Sequence, residues 1–120
     1  MTVPVPDGAH ELLGEAFDPM SRYADLLLTV GVERGLIGPN EGPRLWERHL
    51  LNSATVAPLL PRTATVVDLG SGAGLPGVVL ALVVPTIQVV LLDSTKRRTD
   101  FLVEVVAELG LGDRVRVVWG

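Results

Sequence analysis

The chain has 120 residues, 48% of them apolar and only 4% aromatic, with a formal net charge of −4 and no cysteine. That length holds one domain at most, and the Val- and Leu-rich composition suits a parallel sheet under helices and argues against disorder. Disulfide frameworks, thiolate metal sites and cysteine nucleophiles are excluded. His10 and His49 are too few and too far apart for a metal site of ordinary spacing, so no metal is expected.

The acidic balance gives no support for nucleic-acid binding, which normally leaves a basic footprint. The positive charge is local: Lys96, Arg97 and Arg98 adjoin, and Arg44 and Arg48 fall on one predicted helix. The N-terminus lacks the basic start and apolar run of a signal peptide. No apolar stretch reaches the roughly 18–20 residues that span a bilayer. A cytoplasmic protein without membrane association is the expectation.

In chain order, residues 1 to 8, with Pro4, Pro6 and Gly8, read as a mobile tail. A short helix is predicted from Ala9 to Phe17. Asp18 then serves as N-cap and Pro19 as first residue of a second helix, whose Tyr23, Leu26, Leu27 and Val30 recur at helical spacing. Gly31, Gly35 and Gly38-Pro39 break it up and end it. A third helix runs from about Pro43 to Ala57, with Leu45, Trp46, His49, Leu50, Ser53, Ala54 and Ala57 on one face.

The texture changes after Arg62. Thr65 to Leu69 is a β-branched run stopped by glycines, hence a strand. Leu75 to Val83 reads as a helix, Ile87 to Leu92 as a second strand, and Lys96 to Leu109 as an amphipathic helix closed by Gly110 and Gly112. Val115 to Val118 is a third strand. The order strand–helix–strand–helix–strand predicts an α/β fold: N-terminal helices over residues 1–61, then over 62–120 a βαβαβ unit with a parallel sheet and right-handed crossovers.

The chemistry concentrates between the first strand and its helix, in Asp68-Leu69-Gly70-Ser71-Gly72-Ala73-Gly74-Leu75-Pro76-Gly77. Glycines at this density give a tight turn whose backbone a ligand can approach closely, beside the free N–H groups of a helix start. Gly72 to Gly77 also satisfies GxGxxG, a weak signal alone. The acids discriminate between ligands. Asp68, at the strand end, would repel a pyrophosphate but attract the ammonium of S-adenosylmethionine, which has a sulfonium and no phosphate. Asp93 ends the second strand, where a carboxylate accepts hydrogen bonds from ribose hydroxyls.

Plainer readings stand beside these. The glycine turn can be structural only, Asp68 a local cap, and Asp93 an N-cap for the following helix, a task Ser94 or Thr95 could also do. The trio Lys96 to Arg98 reads as a solvated helix face, His49 as a satisfied core or interface histidine, and Trp46 as packing.

The motif Asp68 to Gly77 resembles the cofactor motif of the bacterial small-subunit ribosomal-RNA guanine-N7 methyltransferases, the glucose-inhibited division protein B family. The Leu75-Pro76-Gly77 continuation is the particular part. Trp46-Glu47-Arg48-His49-Leu50-Leu51-Asn52-Ser53 resembles a second family segment, and Leu91-Leu92-Asp93-Ser94 with Lys96-Arg97-Arg98 and Phe101-Leu102 a third. The resemblance covers roughly residues 19 to 120. It implies the first half of a class I, Rossmann-like S-adenosylmethionine-dependent methyltransferase fold, and methyl transfer to N7 of a guanine in the 530 loop of 16S RNA. Small ribosomal subunits would then be the partner. It implies that Gly70 and Leu75 contact the cofactor, that Gly72 lines the turn and that Asp93 holds the ribose. Asp68, Ser71, Gly74 and Ser94 join that cofactor set. Arg48, His49 and Asn52 receive no chemical step, and no catalytic residue is assigned.

The family's chain runs to about twice this length, so the chain reads as C-terminally truncated and inactive alone. The segment expected to contact the adenine, after the third strand, and the later strands lie outside it. The first strand would leave an unpaired edge, a template for self-association. Two alternatives stay open: a fragment of an NAD-binding Rossmann enzyme, supported by GxGxxG and opposed by Asp68, and a non-enzymatic half-fold that serves as an interaction module.

Overall fold

The computed structural model describes residues 5–120. The expected mobile tail lies outside these residues as far as residue 4. Its remainder is already turned, with the Ala9 N–H donating to the Pro6 carbonyl at 3.2 Å. Helix α1 spans Ala9–Leu13, and a 3₁₀ turn over Gly14–Ala16 leads directly into α2, Phe17–Leu26. Asp18 is therefore not an N-cap. It lies in the first turn of α2, followed by Pro19, at positions where helix N–H groups have no intrahelical partner and a missing one costs little. Gly31 does not end the helix either. A π-helical turn, Leu27–Gly31, carries it past that glycine, and the break comes at Gly35 with φ 72°.

The third predicted helix forms only in pieces: a 3₁₀ turn Gly42–Arg44, a wide π-helical segment Leu45–Leu51, and α3, Asn52–Ala54. Its apolar face is nevertheless as expected, since Leu45, Trp46 and Leu50 are buried. The wider turn re-spaces those three large side chains against their neighbours, among them Phe17, which stacks on Trp46 at 5.7 Å between ring centroids.

Beyond residue 62 the elements follow the sequence closely. Strand β1 spans Thr65–Leu69, α4 Gly77–Val83, β2 Gln88–Asp93, α5 Lys96–Glu108 and β3 Val115–Trp119. The strands are parallel in the order β1-β2-β3, with Asp68 opposite Leu91 and Asp93 opposite Trp119. Helix α4 starts two residues later than predicted because Ser71 to Pro76 is spent on the turn. Alternation along β2 sends Val89, Leu91 and Asp93 to the face under α4 and α5, where all three are buried. On the other face Val67 is 54% and Leu69 74% exposed.

One hydrophobic core joins the halves. Met20, Tyr23 and Leu27 of the N-terminal helices pack in the same cluster as Val78, Val79, Phe101 and Leu102. Ion pairs Arg22–Glu108 and Arg34–Glu104 fasten α2 and its extension to α5 at the surface. At the opposite end of the sheet Arg114 donates to the carbonyls of Ala81 at 3.0 Å and of Val84 and Ile87 at 3.4 Å each. A guanidinium thus satisfies the Ala81 carbonyl in the last turn of α4 and bridges it to carbonyls of the connection into β2. Arg114→Ala should cost about 2 kcal/mol, the scale of charge-assisted bonds to half-buried acceptors. Urea unfolding followed by circular dichroism measures it, and a loss below about 0.5 kcal/mol would assign the clamp no weight.

No helix among the described residues is long and apolar enough to cross a membrane.

Candidate cofactor site

The carboxyl ends of β1 and β2 meet at the glycine turn. Its backbone is held from outside itself. Gly70 N–H and Ser71 N–H both donate to the Leu92 carbonyl, at 2.8 and 3.1 Å. Gly72 N–H donates to Asp93 Oδ2 at 3.0 Å. The Ser71 hydroxyl donates to the Asp68 carbonyl at 2.8 Å. From the other side of the molecule the Tyr23 hydroxyl donates to the Ala73 carbonyl at 2.6 Å. The sequence motif, its second acid and an N-terminal helix therefore converge on one loop.

The glycines differ in what they do. Gly70 has φ 67° and open space where a Cβ would stand, and it is exposed. Gly72, φ 58°, would place a Cβ no closer than 3.9 Å to Gly70 O. Gly74, φ 102°, is buried, and a Cβ there would meet Val78 Cγ2 at 2.7 Å and the Tyr23 hydroxyl at 2.8 Å. Gly70 and Gly72 thus line the open side, whereas Gly74 makes room for the core. Ser71 is buried too, and Leu75 is half-buried.

The two acids take different positions. Asp68 turns under α4, where its Oδ2 accepts the Gly77 N–H at 3.0 Å. Gly77 is a glycine for the same reason: a Cβ there would meet Asp68 Oδ2 at 2.7 Å. Burial pushes the Asp68 carboxyl above its ordinary value, the bonds from Gly77 and Ser71 pull against that, and the Asp93 charge adds to the rise. Asp93 is 3% exposed, and each of its oxygens accepts a backbone amide, Gly72 N–H on Oδ2 and Thr95 N–H at 2.9 Å on Oδ1. Burial works to raise its pKa. The two amides, with the Arg98 guanidinium at 3.7 Å, outweigh that and hold the carboxyl below its usual range. Asp93 therefore ties β2 to the turn and opens the α5 connection.

These residues fit S-adenosylmethionine better than a dinucleotide. The first amide of α4, where a pyrophosphate would seek helix N–H groups, already holds the Asp68 carboxylate. Asp93 has used one acceptor position on each oxygen out of the roughly four a carboxylate offers, and because its side chain is 2% exposed the remaining positions meet ligand hydroxyls only when the surrounding turn opens.

Other sequence candidates lie apart from the turn. His49 Nε2 sits 3.2 Å from Glu41 Oε2, Arg48 and Asn52 are exposed, and Trp46 is packed in the core. Lys96 pairs with Asp100 at 2.9 Å on the open face of α5. Ser94 is exposed beside Asp93, and its carbonyl accepts the Trp119 indole N–H at 3.0 Å. Sequence reasoning missed Tyr23 as a support of the site, since its helical spacing marks it only as core.

A parallel sheet with a glycine turn and an acid at the end of the second strand defines the Rossmann-like α/β class. The mitomycin 7-O-methyltransferase MmcR has the same fold over 82% of this chain and 28% of its own, with a TM-score of 0.56 and 23% identity. The family model for rRNA small subunit methyltransferase G matches residues 17–119. The ribosomal RNA small subunit methyltransferase G of Thermobifida fusca is 60% identical over 95% of this chain and 48% of its own length. That of Mycobacterium marinum is 55% identical over 100% of this chain and 52% of its own. The chain belongs to this rRNA methyltransferase family, and it spans about half the length of the curated relatives it matches.

Proposed function

We propose that the protein moves the methyl group of S-adenosylmethionine to N7 of a guanine in 16S ribosomal RNA, within the small subunit, in the cytoplasm. Residues 62–120 form the cofactor-binding unit, and the segment 1–61 precedes it, its described residues from 5 onward contributing helices seated on that unit. The family match supports the RNA substrate, and the pair of strand-end acids carries the cofactor: Asp68 fills the place a pyrophosphate would need, and Asp93 is fixed beside the turn.

The cofactor supplies, when bound, an electrophilic methyl carbon on sulfur. Guanine N7 holds a lone pair, so no base is required before attack, and what the protein contributes is placement. Asp93 accepts the ribose hydroxyls. Gly70 and Gly72 let the ligand lie against the backbone, with Leu75 and Ser94 at its edges. Ser71 and Gly74 act from beneath by fixing the loop. Asp68 keeps negative charge near the amino-acid ammonium, a task that weakens as falling pH protonates its raised carboxyl.

Calorimetry tests the ligand. S-adenosylhomocysteine should bind and NADH should not; heat from NADH alone would replace this function with a dinucleotide site. A tritiated-methyl assay on small subunits tests the transfer.

The sheet edge bears on association. Val67 and Leu69 are exposed on β1, and β1 forms one edge of the three-stranded sheet. Its free N–H and C=O groups template pairing with a second copy. The 120-residue chain should run as a dimer or larger species in light scattering. A monodisperse monomer would refute that expectation.

A further inference from the structure

We propose that Trp119 is the stacking platform for the purine of the bound nucleoside, an assignment that rests on the S-adenosylmethionine function above. Ligands of parallel α/β sheets lie outside the carboxyl ends of the strands. Trp119 is the last residue of β3 and stands in register with Asp93, the last of β2. Across the sheet from β1 to β3 the chain thus presents a glycine turn, an acid and an indole. That is the order of an amino-acid tail, a ribose and a base.

The indole is held ready. Its N–H donates to the Ser94 carbonyl at 3.0 Å, which fixes the ring against the β2–α5 connection. The Lys96 ammonium sits 5.6 Å from the ring centroid. The residue nevertheless remains 61% exposed, whereas Trp46 is only 3% exposed. An anchored, open indole one strand from a ribose acceptor has the geometry that sequence-tolerant base stacking uses.

Acrylamide quenching of tryptophan fluorescence tests this without any variant, because Trp46 is closed to the quencher and Trp119 is open. Trp119→Phe identifies the Trp119 share of the signal. Saturating S-adenosylhomocysteine should remove most of the accessible quenching. In calorimetry Trp119→Ala should weaken S-adenosylhomocysteine roughly ten-fold, and Trp119→Phe much less. If the wild-type protein binds S-adenosylhomocysteine while Trp119 stays as accessible as before, the platform is wrong and the cofactor site stands. Unchanged affinity in Trp119→Ala would overturn the platform in the same way. If the wild-type protein does not bind S-adenosylhomocysteine at all, both fall together.

Discussion

Gly74→Ala should destabilise the protein by about 2–5 kcal/mol, from a left-handed backbone penalty of about 1–2 kcal/mol and overpacking of about 1–3 kcal/mol. The methyl group would stand 2.7 Å from Val78 Cγ2, 2.8 Å from the Tyr23 hydroxyl and 3.2 Å from Leu102 Cδ2, at a residue with φ 102°. None of these neighbours can yield alone. Val78 is fixed in α4, Leu102 in α5, and Tyr23 is fully buried with its hydroxyl committed to Ala73. Domains of this size are stable by only about 5–15 kcal/mol, so the variant should lose a large part of its stability in urea. Gly70→Ala is the control. It carries a positive φ but meets nothing within 4 Å, so about 1–2 kcal/mol is expected. If the two variants cost the same, crowding at Gly74 contributes nothing and the core is looser than its geometry implies.

Asp93→Ala should have the largest effect on ligand binding, with a stability cost beside it. The substitution leaves the Gly72 and Thr95 amides without their acceptor, which costs roughly 2–4 kcal/mol. Affinity for S-adenosylhomocysteine should fall on the order of a hundred-fold, because the ligand loses a charged acceptor and the turn loses its tether. The pH dependence gives an independent measure. The Asp93 carboxyl is held below its ordinary value, so its contribution is complete above the range in which the unfolded carboxyl titrates and is lost as pH falls through its folded value. Asp68 has the opposite sign: its raised carboxyl favours the folded state at low pH, and that advantage is lost as pH rises through its folded value. Asp93→Ala should therefore show a shallower loss of stability in acid than the wild type. Equal acid limbs in chemical denaturation would show that Asp93 is not a stabilising carboxylate.

What the sequence shows depends on how local each signal is. The βαβαβ unit is legible to within about two residues because Val- and Leu-rich runs are bounded by glycines at Gly70 and Gly110 and by Pro85. The N-terminal helices are less so. Asp18-Pro19 has the composition of a helix start, but α1 and its 3₁₀ turn run straight into α2. The π-helical spacing of Leu45–Leu51 comes from packing, which residue periodicity does not encode. In the candidate site, the turn and Asp93 are readable because a strand, a glycine cluster and an acid recur in fixed order. The bond from Tyr23 to Ala73 crosses 50 residues of sequence, and the engagement of Asp68 by Gly77 crosses nine. Both exist only once the chain is folded.

The Tyr23 hydroxyl links the glycine turn to helix α2 through one hydrogen bond. A ligand that favours the present shape of the turn also favours the docked helix, and by reciprocity the docked helix strengthens the ligand by the same coupling free energy. Amide exchange should record this as slowed opening of α2 when S-adenosylhomocysteine is bound, although the helix need not touch it. The N-terminal helices are then a gauge of occupancy as well as a cover for the sheet, and Tyr23→Phe should uncouple the two without emptying the core.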